Sequence, residues 1–146
     1  MILEPILPKI IRPNHTLITF PLGDNMTTAF FLLALLQIKH WYIDFVNQTN
    51  VEVASKGIYG DSEGVNHSVK HGIGTMFAIV LAVGTPYIAF AAILGLLDSV
   101  LHYHIDWTKM NYGNRDITTP AFWNHLGLDQ MAHQLTYLFI AYAMVA

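Results

Sequence analysis

Four times this chain sets two metal-capable side chains four residues apart beside a hydrophobic segment: His40 and Asp44, His67 and His71, His102 and Asp106, Asp129 and His133. Four residues is just over one helical turn, so each pair projects from one helix face. Together they offer five imidazoles and three carboxylates. That mixture suits zinc, manganese or iron, whereas magnesium and calcium favour shells of oxygen alone. Eight ligands exceed what one ion uses and match two ions sharing bridging carboxylates. Paired cations orient a water, lower its pKa and stabilise both attacking and leaving oxygens. The reaction such a site fits best is phosphoester hydrolysis in or near lipid.

Other residues frame these pairs. Asp98 falls one turn before His102 on the same face, placed to orient that imidazole or to carry a proton. His104 is two residues from both His102 and Asp106, so it points away from their face as a spare, rim or proton-carrying group. Gln48 extends the His40/Asp44 stripe, Gln130 adjoins Asp129, and Lys109 and Arg115 lie where they can attract an anionic substrate. Lys39, Lys56 and Lys70 read as interface or loop charges, and His15 and His125 as interfacial or loop histidines. The chain has no cysteine, which excludes disulfides, iron–sulfur clusters and thiolate zinc sites.

The elements that must position these groups are apolar. Of 146 residues 53% are hydrophobic and 12% charged, about half the usual charged share, which points to a membrane protein. A net charge of −3 leaves no basic footprint for nucleic acid. The pattern predicts helices at about 27–47, 66–83, 86–107 and 121–146, the first with Asp24 or Asn25 as N-cap and the third with Thr85 as N-cap and Pro86 at its first position. Between the first two lies a polar loop rich in turn formers. About 20 residues at ~1.5 Å each span roughly 30 Å, the thickness of a bilayer core. The expected architecture is therefore all-α: an integral-membrane antiparallel four-helix bundle over residues 26–146, preceded at 1–25 by an interfacial arm open to a protein partner or, alternatively, by a poorly ordered tail.

In an up-down-up-down bundle all four pairs meet at one end. Trp41, Tyr42, Trp107 and Trp123 fall near that end as an aromatic belt. Lys56, Lys70, Lys109 and Arg115 lie on the cluster side, against Lys9 and Arg12 on the other, which sets the cluster at the cytoplasmic face of a bacterial or host inner membrane.

The ordered motifs resemble a known family. H-x3-D-F-x2-Q (His40, Asp44, Phe45, Gln48), H-x3-H (His67, His71), H-x2-I-D-x2-K (His102, Ile105, Asp106, Lys109) and D-Q-x2-H (Asp129, Gln130, His133) are similar to the signatures of the small bacterial and phage membrane proteins of the domain of unknown function 3307 family. The resemblance covers about residues 27–146. It implies an integral-membrane protein, similar in style to membrane-bound metal-dependent hydrolases, and confers no substrate. The expected function is a metal-dependent hydrolase acting on a phospholipid or lipid-linked phosphate. Its alternatives are a non-catalytic structural or accessory subunit with a metal-stabilised or polar core, a bis-histidine haem bundle, which the accompanying carboxylates oppose, and a metal transporter, for which no second cluster marks a path.

Overall fold

The computed structural model describes residues 22–146, and this part of the chain is helical, with no strand among the described residues. Five α-helices follow one another: α1 Leu22–Trp41, α2 Asn50–Ser55, α3 Ser62–Val83, α4 Ile88–Tyr112 and α5 Pro120–Val145. A π-helical turn, Tyr42–Asn47, prolongs α1, and a 3-10 turn, Thr85–Tyr87, leads into α4.

The four expected helices are present with altered ends, and the reasons are local. Of the expected arm at 1–25, residues 1–21 lie outside the described residues, and the remainder belongs to α1. Asp24 and Asn25 are thus inside a helix instead of capping it, and Asn25 Nδ2 donates to the Val145 carbonyl at the far end of α5 (3.3 Å). The polar loop holds a helix that hydrophobic periodicity does not reveal. Thr49 caps α2 by accepting the Glu52 N–H, while Glu52 accepts the Thr49 N–H, a reciprocal box that satisfies two orphan donors. Asp61 accepts the Glu63 N–H, so α3 begins at Ser62 instead of near Asn66. Thr85 makes no cap bond; Gly84 turns the chain at φ 92°, and Pro86 sits in the 3-10 turn. α4 continues past Trp107 to Tyr112, which makes Lys109 helical.

The long helices contact one another in a ring, α1 with α3 and α5, and α4 with α3 and α5. Leu32, Leu36, Ile79, Ala91, Leu94 and Ile140 form an apolar core away from the paired polar residues. The α3–α4 contact is the closest. A Cβ on Gly72 would strike Ser99 Oγ and the Gly95 carbonyl, and one on Gly95 would strike the Gly72 carbonyl, so the backbones touch only because neither residue has a side chain.

The surface of the molecule inverts the usual arrangement. Phe30, Phe77, Leu81, Ile93, Leu96 and Phe139 are each more than half exposed, while histidines, aspartates and lysines are buried. Among the described residues two segments, Asn25–Asn47 and Thr85–Tyr112, are long and apolar enough to cross a membrane. α3 and α5 fall outside that class, because their polar residues are spread through the first half of each helix.

Candidate metal centre

All eight paired residues converge and are buried, none more than 6% exposed. His40 comes from the last turn of α1 and Asp44 from the π turn, which buries Ile43 and Asp44 side by side. Gln48 donates back to the Asp44 carbonyl and closes that turn. The first half of α3 supplies His67 and His71, the second half of α4 His102 and Asp106, and α5 Asp129 and His133.

The ligand atoms fall into two adjoining halves that meet at His102, which groups with Asp44, His67 and His71 and again with His40 and His133. In one, Asp44 Oδ1 lies 2.9 Å from His67 Nε2, 3.2 Å from His71 Nε2 and 3.6 Å from His102 Nε2, and the His67 and His102 Nε2 atoms are 3.2 Å apart. Ligands at the ~2.0–2.1 Å bond lengths of a tetrahedral zinc site are about 3.3 Å from one another, so these separations match the edges of a coordination shell. In the other half, His40 Nε2 is 3.2 Å from Asp44 Oδ2, and His133 Nε2 is 3.7 Å from Asp106 Oδ1 and 3.6 Å from Asp129 Oδ1. Asp106 Oδ2 returns to the first half, 3.2 Å from His102 and 3.6 Å from His67. Asp44 and Asp106 therefore each present one oxygen to either half.

Donor chemistry shows that the residues fit a cation. Nδ1 of His67, His71 and His102, His133 Nε2 and Asp129 Oδ1 are buried without a hydrogen-bond partner. Asp106 Oδ2 meets Lys56 at 2.8 Å as an ion pair lacking hydrogen-bond alignment. If the three imidazoles carry their protons on Nδ1, their Nε2 lone pairs and the Asp44 oxygen form a pocket of acceptors alone. If they carry them on Nε2, three rings crowd one carboxylate oxygen. An unsatisfied buried polar group costs about 1–3 kcal/mol. A metal ion held by Nε2 and carboxylate oxygens would remove that cost at His133 Nε2 and Asp129 Oδ1 and would fill the acceptor pocket, while Nδ1 of His67, His71 and His102 keeps no partner. These buried groups could hold such an ion. His40 Nδ1 lies 2.9 Å from Tyr137 Oη; with its proton there it would donate to Tyr137 and free Nε2 for an ion, and with its proton on Nε2 it donates to Gln130 Oε1 instead.

A second polar layer lies beside the first. Lys39 Nζ donates to Asp98 Oδ2 (2.8 Å) and Thr75 Oγ1 (3.1 Å) and sits 4.6 Å from the Tyr137 ring centroid, and Thr75 donates to Asp98 (2.5 Å). The expected bond from Asp98 to the His102 ring is not made, because the buried ammonium of Lys39 and the Thr75 hydroxyl engage the carboxylate. His104 is exposed, as its spacing requires, and is bonded to the Val100 carbonyl (2.7 Å) and Tyr59 Oη (3.1 Å), outside the cluster. Gln130 joins the centre, with Oε1 3.1 Å from His40 Nε2 and Nε2 donating to Asp129 (3.0 Å). Lys109 pairs with Asp129 at 3.0 Å, and Arg115 is exposed. His125 accepts the Asn114 N–H (2.7 Å) in the loop before α5. Lys39 and Lys56, read from sequence as interface or loop charges, turn their side chains inward, Lys56 being buried and the Lys39 side chain 8% exposed, and Tyr137 is fully buried.

A groove of about 350 Å³ runs between α4 and α5, with Ile105, Leu128 and Ala132 along it and Lys109 and Asp129 among its polar residues. Of the eight paired residues it borders Asp129.

No family model, curated protein or solved structure matches the chain.

Proposed function

We propose that this chain is an integral-membrane, metal-dependent hydrolase that holds two divalent ions at one end of an antiparallel four-helix bundle and cleaves a phospholipid or lipid-linked phosphate. The observation that carries the reading is the division of each of two carboxylates, Asp44 and Asp106, between two sets of ligands. His67, His71 and His102 would hold one ion and His40, His133 and Asp129 the other. Bound there, two cations supply Lewis acidity toward a phosphate and a water of lowered pKa. The protein orients the ligands and excludes bulk water, since every ligand is buried. The side groove, apolar along its walls with Lys109 within it, suits entry of a lipid with an anionic head. The apolar exterior and two span-length helices support the membrane setting. Four basic residues near the cluster favour its placement at the cytoplasmic face.

Elemental analysis of detergent-purified protein tests this reading. Two zinc, manganese or iron ions per chain are expected, together with release of a phosphorylated or dephosphorylated product from lipid. Protein that takes up no ion across these metals removes the reading. A structural role is the second possibility, because Asp44 already ties α1 to α3 through His67 and His71 without any ion. In that case chelation lowers thermal stability and no lipid is turned over.

A further inference from the structure

Helix α2 has a polar inward face. Its buried residues are Glu52 and Ser55, and Lys56 follows directly at its C-cap, while Val51 is exposed. A six-residue helix that buries no large apolar side chain gains little from the hydrophobic effect. Its position is nonetheless fixed on several sides. The Thr49–Glu52 box starts it, Lys70 of α3 pairs with Glu52, and Asn111 Nδ2 of α4 donates to the Gly57 carbonyl (3.1 Å). Further on, Tyr103 Oη accepts the Gly60 N–H (2.5 Å), and Tyr59 packs edge-on against Tyr103 and Trp107. What this construction delivers to the centre is one ammonium: Lys56 Nζ, 2.8 Å from Asp106 Oδ2 and 3.6 Å from Asp44 Oδ1.

Those two oxygens belong to the carboxylates shared between the halves of the centre. Cations that take them leave the Lys56 ammonium beside like charges, in a nearly closed site, with its former partners engaged. Such a group is then stabilised by an anion at the same place, and an ammonium is a strong donor to phosphate oxygen. We propose that Lys56 is the anion-binding residue of this centre: it neutralises Asp106 and Asp44 when no ion is present and holds a phosphate oxygen when ions are bound. This rests on the two-ion reading above and adds the residue that recognises the substrate's phosphate, whether a lipid headgroup or a free anion.

The test uses the full chain in detergent, loaded with zinc or manganese, and measures metal content and the Kd of phosphate by calorimetry. Lys56→Met is expected to keep the wild-type number of ions and to raise the Kd of inorganic phosphate by about tenfold or more, with Lys56→Arg recovering most of the loss. Lys56→Gln replaces Lys56→Met should the latter not accumulate. A parallel series with phosphatidic acid in mixed micelles separates the sources. Tighter binding of the lipid assigns a headgroup and equal affinities a free anion, and under either the loss at Lys56→Met supports the proposal. An unchanged phosphate Kd at full metal content overturns it while leaving the two-ion reading intact, and loss of ions from Lys56→Met overturns it by making Lys56 a part of the metal site. Wild-type protein that binds no ion removes both.

Discussion

The imidazoles of His71 and His102 stack with ring centroids 3.5 Å apart and planes 21° from parallel, and the helices that carry them meet backbone to backbone at Gly72 and Gly95. The stack depends on that contact. Gly72→Ala introduces a methyl group where Ser99 Oγ and the Gly95 carbonyl already lie, so α3 and α4 must separate. Overpacking of this kind costs about 1–3 kcal/mol. Thermal unfolding should show that loss, and metal content should fall with it, because His67 and His71 move away from His102.

Asp44 and Asp106 serve both halves of the centre, whereas Asp129 serves one. Asp44→Ala and Asp106→Ala should therefore strip both ions, and Asp129→Ala only one. Elemental analysis of each variant reads this directly. Equal losses across all three would deny the division.

Lys39 and Asp98 are buried together, with side chains 8% and 1% exposed. Removing one partner leaves the other charged and uncompensated, which costs about 3–5 kcal/mol. Lys39→Met should be destabilised by that order, and Lys39→Met combined with Asp98→Asn by much less. Denaturation of the four members of this cycle measures the coupling. Additive losses would show that the pair is not coupled.

Glu52 holds α2 in place, and its ionisation sets a pH dependence. Burial by itself raises its carboxyl, but donors from Lys70 and Thr49 outweigh it and bring the pKa below the ordinary value of 4.5. A lowered folded value contributes stability that is full above the unfolded pKa and disappears as pH falls through the folded one. In chelated protein, the stability difference between wild type and Glu52→Gln should hold from neutral pH down to about 4.5 and shrink below it. A difference that grows with acid would contradict the assignment.

Much of the centre was legible before the fold. His40/Asp44, His67/His71, His102/Asp106 and Asp129/His133 repeat a helical spacing, and topology gathers such pairs at one end. Lys39 was not legible, because its partner Asp98 is 59 residues away and nothing local marks the pairing. Asp98 was misplaced for the same reason: one turn from His102 on a single helix, it answers to a lysine on another. Lys56 lay in a segment without hydrophobic periodicity. Its signal was the Thr49-x-x-Glu52 box, which announces a helix start even where no apolar stripe follows. Tyr137 carries no spacing signal in the sequence, and it is the hydroxyl, 2.9 Å from His40 Nδ1, that sets it apart.

The apolar layer of Leu32, Leu36, Ile79, Leu94 and Ile140 has a consequence for traffic. Beyond Lys39, Thr75 and Asp98 no charged side chain is buried among the described residues on the way to the Gly84 turn. An ion or product at the centre would therefore face apolar side chains on that side, whereas the groove between α4 and α5 borders one of the paired residues, Asp129.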